Sequence, residues 1–139
     1  MLRAKILLEN QQGELARLAE WVSSLGRLHA LSAELVFRLD LILAEAVSNI
    51  IFYGYPAGGE HWIEIQVHQE GQQLVVQIRD DGIAFNPLER PEPAKPPSLE
   101  HAPIGGLGIV LIRRFSSRLA YQRQAGQNIL TITIDDNPG

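Results

Sequence analysis

Six of the eight prolines in this 139-residue chain, Pro87, Pro91, Pro93, Pro96, Pro97 and Pro103, fall within one stretch. Each removes a backbone donor and locks φ, so neither a helix nor a central strand survives at that density. Residues 86–104 therefore read as a long loop, and the core must be built from the segments on either side of it. A loop of this length in a chain of single-domain size is uncommon, and is usually functional or disordered.

Those flanking segments carry clear periodicities. Residues 2–9 read as a short strand. Residues 14–28 suit an amphipathic helix, with Leu15, Leu18, Trp21, Val22 and Leu25 at three- and four-residue spacings and Gly26 weakening its end. Ser32 suits the cap of a second helix running to about Phe52, with Leu35, Leu39, Ile42, Leu43, Ala46 and Ile50 as its apolar stripe. Gly54, Pro56, Gly58 and Gly59 break the chain. Residues 61–68 and 74–80 alternate as strands, with Glu70-Gly71 as the turn. After the proline stretch, Gly105-Gly106-Leu107-Gly108 opens a third helix through Phe115, and a hairpin follows. Leu119, Tyr121 and Arg123 share one parity, Gly126 supplies the turn, and Leu130, Ile132 and Ile134 alternate with threonines. This order predicts a single α+β domain over 1–139, a two-layer sandwich whose mixed, largely antiparallel sheet has helices packed on one face.

Composition narrows the function. With no cysteine, disulfides, thiolate zinc sites and cysteine nucleophiles are excluded. A net charge of −4 speaks against a phosphate-neutralising nucleic-acid surface. The apolar run before Glu9 is short for a signal peptide, and no stretch nears the roughly 18 apolar residues of a membrane span, so a cytoplasmic protein without membrane contact is expected. His29, His61, His68 and His101 are too scattered to suggest a metal cluster, and Trp21 and Trp62 read as packing residues.

Three places break the structural pattern. Glu45 and Asn49, four apart on the second helix, lie about 40° apart around its axis, on the same side as Glu34 and Arg38. A carboxylate stacked on a carboxamide suits a magnesium ion, or a base beside a metal ligand, although a solvated helix face reads the same way. In Asp80-Asp81-Gly82, Asp80 keeps the parity of Leu74, Val76 and Ile78 and points at the core. An acid there needs a partner, which the exocyclic amine of a purine offers, and Gly82 leaves room for a flat ring; Asp-Gly is also a common turn. Free amides at the glycine-rich start of the third helix suit phosphate, but would equally serve as a flexible exit from the loop. No Lys-Ser/Thr follows Gly108, so this is not a Walker A loop. One ligand accounts for all three breaks: a purine carrying several phosphates and a divalent metal.

In this order the motifs resemble the Bergerat-type ATP-binding fold of gyrases, heat-shock chaperones, histidine kinases and mismatch-repair ATPases, and most of all its small anti-sigma-factor serine kinases. Residues 45–55 resemble the N box, Asp80-Asp81-Gly82-Ile83-Ala84-Phe85 the first glycine box, and Gly106-Leu107-Gly108-Ile109 the second. The resemblance implies ATP and Mg2+ as cofactors. It makes Asn49 the metal ligand, Glu45 the catalytic base, and Asp80 the acceptor for the adenine amine with Gly82 and Ala84 beside the ring. It makes residues 86–104 the ATP lid and Gly105, Gly106, Leu107 and Gly108 its hinge and phosphate cradle. The chain departs from the pattern at Ala84 and Gly105, where a glycine and an arginine are usual, and at Tyr53, where histidine is common; Thr131 is the candidate for a late threonine near the adenine. The resemblance implies a serine/threonine kinase acting on a serine of an anti-sigma-factor antagonist, with a sigma factor as a second partner and room for a homodimer. The alternative is a nucleotide-dependent module that sequesters a partner with little or no turnover.

Overall fold

The computed structural model describes residues 2–84, 86 and 106–136, with 106–110 described as helix backbone only. The loop expected over 86–104 thus lies outside the described residues except for Asn86, as does Gly105.

The expected elements form. Strand β1 is Arg3–Glu9, helix α1 Glu14–Leu28, helix α2 Ala33–Tyr53, strand β2 Trp62–Glu70, strand β3 Gln73–Asp80, helix α3 Gly106–Phe115, strand β4 Arg118–Gln124 and strand β5 Gln127–Asp135. The Glu14 carboxylate accepts the Glu9 amide at 3.0 Å and pairs with Arg17 at 2.8 Å, fixing the start of α1. Ser32 caps α2 by accepting the Leu35 amide at 3.1 Å. Gly26 has a packing reason for its place near the end of α1. A Cβ there would come within 2.6 Å of the Val36 side chain, so the glycine lets α1 and α2 approach closely.

The sheet runs β1-β2-β3-β5-β4, and every pairing among the described residues is antiparallel, which narrows the expected mixed sheet to one kind. Period-two alternation then sorts its two faces. Ile6, Ile65, Ile78, Leu130 and Tyr121 stand in register across all five strands and face the helices. The adjacent row, Lys5, Gln66, Gln77, Thr131 and Ala120, faces away. Between the inward row and the helices lies one core, in which Leu39, Ile42, Leu43 and Val47 of α2 have no exposed surface. At roughly 1.5–3 kcal/mol per buried large aliphatic side chain, α2 is the main contributor to the helical layer. Trp21 packs against this core as expected, whereas Trp62 lies 54% exposed at the start of β2. None of the described helices is long and apolar enough to cross a membrane.

The β4–β5 turn holds both central residues at positive φ, Ala125 at 53° and Gly126 at 76°. Such a turn matches the twist of the strands it joins, but an L-residue with a Cβ pays about 1 kcal/mol at the first position. Asparagine tolerates that conformation better. Ala125→Asn should raise the urea midpoint by the equivalent of about 0.5–1 kcal/mol without changing the unfolding slope. No gain would contradict the strain assigned to Ala125.

Candidate functional site

Strand parity carries Asp80 inward at the last position of β3, where it is 5% exposed. A carboxylate there is costly unless hydrogen-bonded. Two donors meet its Oδ1: the Gly82 amide at 2.9 Å and Asn128 Nδ2 at 3.0 Å. Burial pushes the Asp80 carboxyl above its ordinary range, and these two bonds work against that rise. Its neighbour Asp81 has the opposite parity and a half-exposed side chain, which accepts from the Tyr55 hydroxyl at 3.2 Å and lies 3.2 Å from His61 Nδ1. Burial works to raise Asp81, but these bonds outweigh it and hold it below the usual carboxylate range. Tyr55, stacked on His61 at 4.3 Å, is pushed well above its ordinary value by burial and by the charges of Asp80 and Asp81.

Gly82 is needed for close approach. A Cβ at this position would stand 2.6 Å from the Gly54 carbonyl oxygen and 2.9 Å from Asp80 Oδ1. The Ile83 amide donates to that same Gly54 carbonyl at 2.9 Å. The end of α2 is thereby sealed against the end of β3, backbone to backbone.

This seam brings α2 residues to the acid. Asn49 is 3% exposed, so the solvated-face reading fails at this position. Its Oδ1 is buried and has no hydrogen-bond partner among the described residues. Glu45, one turn earlier, is half-buried. Glu34 is exposed, and Arg38 serves the fold: its Nη1 donates to the Asp135 carbonyl at 3.0 Å, tying the start of α2 to the end of β5.

Asn49 and Asp80 line one cavity, together with Gly54, Ile78, Ile112, Tyr121 and Asn128. The cavity is narrow, with about 30 Å³ free. Tyr121 and the half-exposed Ile83 stand in its wall. Gly106, Leu107 and Gly108 form the first turn of α3, and Ile112 of the same helix reaches the cavity wall. At 1.5 Å per residue that first turn starts roughly 9 Å along the axis from Ile112. Ala84 is exposed and is not among the residues lining the cavity.

The sequence reading missed Asn128, Tyr121 and Arg123. Asn128 is 6% exposed and stands directly opposite Asp80 in the β3–β5 register. Its signal was present: a polar residue with the inward parity of Leu130, Ile132 and Ile134, the same kind of break that singled out Asp80. Thr131 is opposite Gln77 on the other face of the sheet, so it cannot be the late threonine near the base.

Comparison with known proteins agrees with this fold. A family model described as a histidine kinase-like ATPase domain matches residues 8–134. The chain is 33% identical over 118 residues to the serine/threonine-protein kinase BtrW of Bordetella bronchiseptica, an alignment covering 85% of this chain and 83% of that one. It is 30% identical over 80 residues to an anti-sigma F factor of Bacillus licheniformis, covering 55% of this chain and 53% of that one. Its fold is similar to the structure of the RsbU and RsbW domains of a Mycobacterium tuberculosis protein, with a TM-score of 0.68 at 13% identity over 97% of this chain and 32% of that one. The histidine kinase domain of an Erythrobacter litoralis blue-light-activated kinase gives 0.54 at 17% identity, over 88% of this chain and 59% of that one. The chain thus spans about a third and somewhat over half of these two solved chains, and at such identities the likeness is one of fold.

The raised proton affinity of Asp80 has a consequence for stability. Between its unfolded value of 3.8 and its higher folded value, the folded state holds a proton that the unfolded state has released. Stability contributed at this position therefore falls as pH rises through that window. Asp80→Asn should melt at a higher temperature than the parent at pH 7, with the margin shrinking as pH approaches 4. A variant that melts lower at pH 7 would show that the buried charge is fully compensated.

Proposed function

The chain belongs to the histidine kinase-like ATPase domain family, and from that premise we propose that it is an ATP-dependent serine/threonine kinase of the anti-sigma-factor type. Its substrate is a serine on an anti-sigma-factor antagonist, and a sigma factor is its second partner. The single observation that carries the nucleotide part is the shared cavity, with the Asp80 carboxylate near one end of the seam and, on the facing helix, Asn49 Oδ1, which has no partner among the described residues. The kinase part rests on Glu45 and on the 33% identity to a serine/threonine-protein kinase.

The donor set fits the expected ligand. An ionised carboxylate only accepts hydrogen bonds, so Asp80 suits the exocyclic amine of adenine. Asn49 Oδ1, a hard oxygen buried without a partner among the described residues, suits Mg2+ held with phosphate oxygens. Such a cation, when bound, neutralises charge on the phosphates. The free amides at the start of α3, at Gly106, Leu107 and Gly108, suit phosphate oxygens. Glu45 is half-buried one turn from Asn49 and takes the proton of the attacking serine hydroxyl. The hydroxyl oxygen bonds to the γ-phosphorus, the bridging β–γ P–O bond breaks, and ADP leaves. A phosphoserine then adds about −1.5 to −2 charges to the partner's interface, which suffices to exchange one partner for another.

The test uses γ-labelled ATP with the antagonist as acceptor. Asn49→Ala should lose magnesium-dependent ATP binding. Glu45→Gln should bind ATP like the parent while transfer falls about 10²–10⁴-fold, the range for a general base. If parent and Glu45→Gln bind ATP alike and neither labels the acceptor, the kinase reading gives way to ATP-dependent sequestration.

A further inference from the structure

We propose that Asn128 sets the purine preference of this site, holding Asp80 so that its free carboxylate oxygen takes a 6-aminopurine nucleotide and rejects a 6-oxopurine one. The inference rests on the nucleotide reading above and adds a residue, and a discrimination, to it.

The geometry fixes the Asn128 amide from the far side. Its Oδ1 receives Arg123 Nη1 at 3.1 Å and the Tyr121 hydroxyl. Arginine has donors and no acceptor, so the atom facing Arg123 must be the amide oxygen. The NH2 end is then turned to the β3 terminus, where it donates to Asp80 Oδ1 at 3.0 Å and to the Ile83 carbonyl at 2.8 Å. Arg123 Nη1 also donates to the Gly82 carbonyl at 2.8 Å, so one guanidinium steadies both the amide and the glycine beside the acid.

The effect on Asp80 follows. Asn128 Nδ2 and the Gly82 amide both meet Oδ1, no hydrogen bond to Oδ2 is made among the described residues, and Asp80 lines the cavity, so Oδ2 is the oxygen we assign to a ligand there. Donors on one oxygen stabilise the ionised acid, and an ionised Oδ2 can only accept. An amine at the purine 6-position completes that bond. A carbonyl at the same position sets two acceptors against each other; the donor that a 6-oxopurine does carry, N1–H, lies one ring position away and meets the acid only if the base shifts, so the bond at the 6-position is lost. The groups facing Asp80 are Asp81 beside it, Tyr55 after α2 and Arg123 on β4, while α2 and α3 present the non-ionisable Asn49 and Ile112. Asn128 touches the acid rather than the base in this arrangement, and is a positioning residue.

The experiment measures Mg-ATP and Mg-ITP binding by calorimetry, the two nucleotides differing at the purine 6-position and in the hydrogen that the 6-oxo base carries on N1. It compares the parent with Asn128→Leu and Asn128→Asp, from pH 5.5 to 8.5. Circular dichroism and melting confirm that each is folded. The parent should prefer ATP throughout. Asn128→Leu, lacking the donor to Oδ1, should lose at least about tenfold of its ATP-over-ITP ratio, most strongly at the acid end, where Asp80 takes up a proton and can donate to the 6-oxo group. Asn128→Asp keeps the acceptor for Arg123 and Tyr121 but faces Asp80 with a second carboxylate. It should match the parent at low pH, where the pair shares one proton, and lose ATP affinity as pH rises. If the parent binds neither nucleotide, the nucleotide reading falls and this inference with it. If the parent binds ATP and both folded variants keep its ATP-over-ITP ratio and pH profile, Asn128 is only a packing residue and this inference alone is overturned.

Discussion

A carboxylate buried at the end of a central strand is the constraint around which this structure is arranged. Asp80 has too little exposed surface to be solvated by water, so its partners must come from the chain. They come from the glycine two residues on and from the neighbouring strand, at 2.9 and 3.0 Å. Both partners are in turn held: Gly82 by the Gly54 carbonyl that leaves no room for a Cβ, and Asn128 by Arg123 and Tyr121. Four elements of the chain meet in this one network.

The same network decides where α2 ends. Because the Gly54 carbonyl accepts the Ile83 amide, the last turns of α2 are pressed against the mouth of β3. The helix supplies the core along one side and brings Asn49 to the cavity on its flank. Burying two polar groups there, one with a raised proton affinity and one whose oxygen has no partner among the described residues, works against stability. Buried polar groups of this kind concentrate at functional sites. The surrounding apolar surface of α2 and the sheet offsets the cost.

Much of this was legible in the residues. The helix over Glu14–Leu28 and the capped start of α2 follow from spacing and from Ser32 alone, because an amphipathic period and a cap are local properties. The inward parity of Asp80 was legible for the same reason. Other features depend on which strands are neighbours. That Asn128 stands opposite Asp80 follows from the β3–β5 register across an intervening helix and loop, which no local pattern encodes. That Thr131 faces away follows from the same register. Gly26 looked like a flaw in a helix until Val36 was seen to fill the space a Cβ would take.

The sequence by itself determined the element order, the two faces of each strand, the motifs of a purine–phosphate site and the absence of thiol chemistry. These depend on short-range periodicity, on residue chemistry and on composition. The tertiary structure decided that Asn49 and Asp80 share one cavity, that Ala84 stays outside it, and which residue holds the acid. Those outcomes depend on strand register and on the Gly54–Gly82 contact between segments far apart in the chain, where packing alone selects the neighbours.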